Sequence, residues 1–238
     1  MRATGPLLLI SLLLAACGPA AQPSLTPSST PTAAPSPAPT VASQFLEFPV
    51  HRTGRGKALA AGTYASPNWF DIQFTINVTD GWRVVHFPDL EVLGLASGKN
   101  SLGDVSNWLT FLPIYDADAA EFVAAMQAAP ELTALAEPLS VTLAGRYEGM
   151  QYDFRALPNP GFAGDPEAGI PAGAQQLPAL QAYTPGFAWT TSSDEPLIRV
   201  FVFDFDGRTM VLYIEAPADE FDAFLIGIHP MFESLTPR

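Results

Sequence analysis

Apolar and polar residues alternate over residues 72–78, with Ile72, Phe74, Ile76 and Val78 on one face and Gln73, Thr75 and Asn77 on the other. A period of two predicts a strand with one buried side. Thr79-Asp80-Gly81 predicts a turn, and residues 82–87 return as a partner strand. Residues 91–95 and 108–114 predict two further strands. The period then changes. Over residues 118–129, Phe122 and Met126 share a face with Ala125 and Ala129, which predicts a helix capped by Asp118 and stopped by Pro130. Residues 139–143 predict a strand, and Gly145 opens a turn into another at 147–154. Residues 157–186 are rich in Pro, Gly and Ala, lack periodicity, and predict an insertion or loop.

The C-terminal pattern is the sharpest. Residues 197–205 and 208–215 flank Asp206-Gly207, a signal for a two-residue hairpin of type I′. That turn sets the register: Phe203 faces Met210, Phe201 faces Leu212 and Val202 faces Val211. Both faces of the hairpin are largely apolar, so both are expected to be covered. Phe221, Phe224, Leu225, Ile228 and Phe232 then recur at helical spacing, with Asp219, Glu220 and Asp222 near the helix start. Pro230 is expected to kink or end this helix near His229. The expected fold class is α+β, an antiparallel β-sheet sandwiched by helices, in a single domain over residues 45–238.

The first 44 residues follow other rules. Arg2, an apolar run from Leu7 to Leu14, and small Ala15 and Ala16 form the layout of a secretory signal over residues 1–16. The run is too short for a bilayer core of about 30 Å, which needs about 20 residues. Leu14-Ala15-Ala16-Cys17 resembles the lipobox of bacterial lipoproteins. The resemblance implies that Cys17 becomes the lipidated N-terminus. Two or more acyl chains, at about 0.8 kcal/mol per buried CH₂, anchor a chain stably. Residues 18–44 hold Pro, Ser, Thr and Ala with no charge and no aromatic, so residues 17–44 are expected to be a lipidated cysteine and a disordered linker. Cys17 is the sole cysteine, so no disulfide staples the body. The expected location is the cell membrane or envelope, lipid-anchored and facing outside the cytoplasm.

A wider resemblance covers residues 58–235. It rests on the Gly62-Thr-Tyr-Ala-Ser66 lead-in, the strand ending in Thr79-Asp80-Gly81-Trp82, the helix before Leu139-Ser-Val-Thr-Leu-Ala-Gly145, and the closing hairpin and helix. Together these look like bacterial envelope lipoproteins with a PsbP/Mog1-like α/β/α sandwich. The resemblance implies a sheet between helices and a binding or assembly role. It marks no functional residues, and fold alone does not give function.

Charge and motifs narrow the chemistry. The net charge of −13 argues against nucleic acid, whose phosphates require Lys and Arg. His51, His86 and His229 have no metal-ligand spacing and read as structural or surface residues. No Gly-x-Ser-x-Gly elbow occurs. Residues 94–101 resemble a phosphate loop but fall one residue short of the Walker spacing, and read as a plain loop. The acid groups Asp116/Asp118, Asp194/Glu195, Asp204/Asp206 and Asp219/Glu220/Asp222 read as turns or helix caps. No catalytic, metal or cofactor-binding residue is assigned, and no cofactor is expected. Trp82 and Trp108 are expected in the core, whereas Trp69 and Trp189 lie in loops and are candidate binding-surface anchors.

The leading expectation is therefore a lipid-anchored, non-catalytic binding or interaction module. Its partners are the membrane, through the lipid, and an envelope protein or small ligand. The alternatives are a carrier of a hydrophobic small molecule in a lipocalin-like or half-barrel cavity, and a hydrolase with dispersed catalytic residues.

Overall fold

The computed structural model describes residues 45–49, 56–87, 92–99, 105–165, 170–183, 190, 191, 193 and 195–238. Cys17, the residue 17–44 linker, His51, Trp189 and Asp194 lie outside them. Residues Ser43–Arg238 form one compact unit.

The strands are β1 (Leu46–Glu47), β2 (Lys57–Ala58), β3 (Gly62–Ala65), β4 (Phe74–Val78), β5 (Arg83–Phe87), β6 (Val92–Ser97) and β7 (Asn107–Leu112). Helix α1 (Ala117–Ala128) follows, then β8 (Leu132–Ala134), β9 (Leu139–Leu143), β10 (Tyr147–Ala156), α2 (Pro178–Tyr183), β11 (Pro196–Phe205), β12 (Arg208–Pro217), α3 (Phe221–Ser234) and β13 (Thr236–Pro237). A large sheet runs β2-β5-β6-β7-β12-β11-β10-β8, with β9 also paired to β10. Its described pairings are antiparallel. A smaller sheet has the order β1-β3-β4-β13, in which β1 runs parallel to β3.

The β11–β12 hairpin has the register expected from its turn. Phe203 pairs with Met210, Val202 with Val211 and Phe201 with Leu212. Asp206 and Gly207 take φ of 58° and 78°, as a type I′ turn requires at both central positions. The Asp204 carboxylate accepts a 2.9 Å hydrogen bond from the Gly207 N–H, which locks the turn.

Each face of the large sheet supports its own core. On one face, Leu95, Leu109, Phe111, Phe203, Phe205, Met210 and Leu212 pack with Phe74, Ile76 and Val78 of β4 and with Phe224, Ile228 and Phe232 of α3. On the other, Val200, Val211 and Tyr213 pack with Phe122, Val123 and Met126 of α1 and with Leu177 and Leu180. The sheet is thus covered on both sides, but by helices alone only on the second. On the first, the smaller sheet shares the cover with α3, because β4 offers Phe74, Ile76 and Val78 on one buried face.

Three local expectations change. Helix α1 starts after Asp116, not Asp118. Asp116 makes no side-chain cap bond but takes a positive φ of 49° and accepts from the Thr209 N–H at 3.3 Å. Asp118 lies in the first turn, where its charge favours the helix dipole. Helix α3 runs through Pro230 to Ser234. The ring sits on the exposed side, and burial of Met231 and Phe232 beyond it holds the last turn in place. Within residues 157–186, Ala174, Leu177 and Leu180 are buried and α2 docks on α1, with the Tyr183 ring edge-to-face on Phe122 at 5.3 Å.

The C-terminus is tied down by side chains from the β9–β10 turn. Arg146 donates to the Glu233 carbonyl at 2.8 Å and to the Leu235 carbonyl, and the Tyr147 hydroxyl donates to Leu235 at 2.7 Å. A guanidinium at a helix C-terminus satisfies carbonyls that have no partner within the helix.

Candidate functional site

Alternation along β12 places Tyr213 and Glu215 on the face with Val211, beneath α1 and α2. Tyr213 is 1% and Glu215 3% exposed. The Tyr213 hydroxyl donates to Glu215 Oε2 at 2.5 Å. Burial pushes the Tyr213 phenol well above its usual range, and the neighbouring Glu215 charge and hydrogen bond add to the effect. A phenol donating to a carboxylate holds its own proton more tightly.

Strand β7 extends this polar row. Thr110 pairs across the ladder with Tyr213, and Trp108 pairs with Glu215. Thr110 is 1% exposed, and its Oγ1 has no hydrogen-bond partner. A buried hydroxyl left unpaired costs about 1–3 kcal/mol, so it marks a place where a further polar atom would be stabilising. Across β6, Gly94 pairs with Thr110, and a side chain on Gly94 would come within about 3.5 Å of the Trp108 ring. The tighter neighbour of such a side chain is the Val85 carbonyl oxygen at 3.1 Å, and the half-buried indole would be in ordinary van der Waals contact with it.

Gln175 and Thr191 are joined by a Thr191 N–H to Gln175 carbonyl bond of 2.8 Å and a Gln175 N–H to Thr191 Oγ1 bond of 2.8 Å. Ser193, just before β11, has a buried Oγ with no hydrogen-bond partner.

A second charged group closes the opposite face. Arg199 grips Asp153 in a two-point pair, Nε to Oδ1 at 2.6 Å and Nη2 to Oδ2 at 3.0 Å. The guanidinium also lies over the rings of Phe221 and Phe201, at 5.7 and 6.0 Å. Gln151 Nε2 donates at 2.7 Å to Asp153 Oδ2, the oxygen that also accepts from Arg199 Nη2. These bonds consume the donors and acceptors locally, which is the chemistry of a structural clasp.

Trp69 does not stand free in its turn. It is half-buried, packs against the first core and meets Phe70 edge-on at 6.0 Å. Trp82 is buried in the core, as expected, with its ring 5.8 Å from Phe224. His229 is exposed and lies 3.3 Å from Glu233 one helical turn on. His86 lies in β5. Gly94 to Ser97, half of the expected loop, is strand β6. Glu220 accepts from the Asn107 side chain at 3.1 Å. Among the described residues, no three His, Cys, Asp or Glu side chains converge as metal ligands. Among them too, no helix is long and apolar enough to cross a membrane.

Glu215, Tyr213 and Thr110 belong to no spacing motif. One signal was present. Both faces of the hairpin are apolar, so a glutamate in Val-Leu-Tyr-Ile-Glu215 must point into a covered layer whichever face it takes. No protein-family model matches the chain, and no curated protein matches it.

Proposed function

We propose that this chain is a lipid-anchored extracytoplasmic protein whose β-rich body is a non-catalytic binding domain. The anchor rests on Leu14-Ala-Ala-Cys17 following an apolar run of signal length. The finer fold reading, a PsbP/Mog1-like sandwich, rests on the order of strands and helices and on the closing hairpin and helix.

The observation that carries the binding reading is the polar row Thr110–Tyr213–Glu215 set into an apolar layer. Buried acids are retained at a cost in stability, so they commonly mark recognition or chemistry. Burial of the row favours a small molecule over a protein surface as the bound species.

Two measurements test the two halves. Replacing Cys17 with Ala is expected to move the protein from the membrane fraction to the soluble fraction; a variant that stays with the membrane removes the anchor. Mass spectrometry of small molecules released from the purified, denatured chain is expected to find a species that the Glu215→Ala chain does not carry. Identical extracts from the two chains would overturn the binding reading.

A further inference from the structure

We infer that strand β9 pairs with β9 of a second copy of this chain, antiparallel across a twofold axis at Val141, and joins two large sheets edge to edge. Strand β9 lies against β10 on one side, and among the described residues no strand pairs with its other side. Alternate residues of an antiparallel strand turn their N–H and C=O to opposite sides, so the outer side of β9 presents a row of ladder groups to solvent. Natural sheets guard such edges, and the other described edges here are guarded. Strands β1, β2 and β13 are two residues long and β8 is three. Between β8 and β9, Ala134 pairs with Phe154 and Leu139 with Gln151, so the four residues from Leu135 to Pro138 stand opposite only Tyr152 and Asp153. That bulge carries Glu137 and Pro138, a charge and a proline that also hinder edge pairing. Residues 139–143 have none of these devices. They form a five-residue strand without charge, proline or glycine, with Leu139, Ser140 and Thr142 exposed.

The order of side chains selects the occupant. Leu139-Ser-Val-Thr-Leu143 has the same chemistry read in either direction. Paired antiparallel about Val141, Leu139 stands opposite the partner's Leu143, Ser140 opposite the partner's Thr142, and Val141 opposite the partner's Val141. Alternation puts Leu139, Val141 and Leu143 on the face of the first core, where Leu143 is buried and Val141 packs, and puts both hydroxyls on the other face. A twofold axis therefore matches apolar with apolar on one face and hydroxyl with hydroxyl on the other, as an isologous contact requires. Leu139, 52% exposed, gains cover from the partner's Leu143. No like charges meet along the paired strands, which matters between two copies of a chain with a net charge of −13. A strand from an unrelated protein needs no such symmetry.

The test uses the full chain carrying Cys17→Ala, so that no lipid holds copies together. Sedimentation velocity from about 1 μM to about 1 mM is expected to show a monomer–dimer equilibrium. Ser140→Lys with Thr142→Lys places like charges opposite each other on both sides of the axis, and is expected to weaken the dimer at least tenfold. The same change lowers the net negative charge, so general repulsion between copies does not account for the loss. Ser140→Glu with Thr142→Glu is expected to weaken the dimer likewise, and an equimolar mixture of the two double variants is expected to restore it. Circular dichroism spectra and urea midpoints matching the parent chain establish that the variants are folded. If a double variant fails to fold, Leu139→Lys at its exposed position decides, with at least a tenfold weakening expected. A parent chain that is monomeric over the whole range overturns the inference and leaves the edge to a strand of another protein. A dimer unchanged in a folded lysine variant, or a mixture of folded double variants that stays monomeric, overturns it too.

Discussion

The two faces of the large sheet bury similar kinds of strand but are finished differently. The first face is dense in aromatic rings. Phe111 stacks on Phe74 at 4.6 Å and meets Phe70 edge-on at 6.4 Å, and Phe205 lies 4.8 Å from Tyr147. A second sheet and a 14-residue helix cover it. The second face carries a buried acid, a buried phenol and an unpaired threonine hydroxyl, under a 12-residue helix and a 6-residue one. The difference separates two tasks. One face secures the fold by aromatic packing, and we propose that the other, with its polar row, serves binding.

The largest break in this comparison is on the aromatic face. Phe111→Ala is expected to lose about 3–5 kcal/mol, since a fully buried ring leaves a cavity between two sheets that cannot both relax. Urea unfolding reads the loss directly. Hydrogen exchange on the native chain sharpens the contrast. Amides of β11 and β12 are expected to exchange near the global rate and those of α2 much faster, because α2 is a helix of 6 residues outside the sheet ladder. Equal protection in α2 and β12 would remove the distinction between the faces.

Next in size is Tyr213→Phe. It removes the donor to a buried carboxylate, for a loss of about 1.5–3 kcal/mol in urea unfolding. Loss of less than half a kcal/mol would mean that Glu215 does not depend on the phenol. The same variant carries a pH signature. The folded state raises the Tyr213 pKa above the unfolded value of about 10, so it favours the protonated phenol. The corresponding stability is fully present below about pH 10 and is lost as pH rises beyond it. The unfolded chain then releases a proton that the folded chain keeps, at about 1.4 kcal/mol per pH unit for each such tyrosine. Burial also raises Tyr147 and Tyr183. Tyr213→Phe is therefore expected to flatten the alkaline slope without abolishing it.

Particular elements show what could be read before the fold was seen. The β11–β12 register was legible because Asp206-Gly207 fixes a two-residue turn, and pairing then follows by counting. Strand β4 was legible because its face repeats without a break. The smaller sheet was not, since β1 and β13 are two residues long, too short for any period, and their partners lie far along the chain. The continuation of α3 past Pro230 is illegible in the sequence for a related reason. The proline cost is local and visible in sequence, whereas burial of Met231 and Phe232 is tertiary. Trp69 likewise has the sequence context of a loop anchor, and only the fold puts Phe70 and the core beside it. The polar row was half legible: Glu215 stands out in an apolar strand, but its meeting with Thr110 depends on β7 pairing with β12, which no local pattern announces.

The smallest expected effect separates the two tasks most cleanly. Thr110→Val replaces a buried hydroxyl with a methyl of nearly the same size. Elsewhere that exchange is costly, because the hydroxyl usually has a partner to lose. Thr110 Oγ1 has none, so the exchange removes only the penalty of keeping a polar atom dry. Stability is expected to stay level or rise by up to about 1 kcal/mol, measured as a shift in the urea midpoint at constant slope. A loss of more than about 1 kcal/mol would mean that the hydroxyl holds the fold together, and the second face would then resemble the first. A neutral or stabilising change leaves a residue that the fold does not need, on the face where a ligand would.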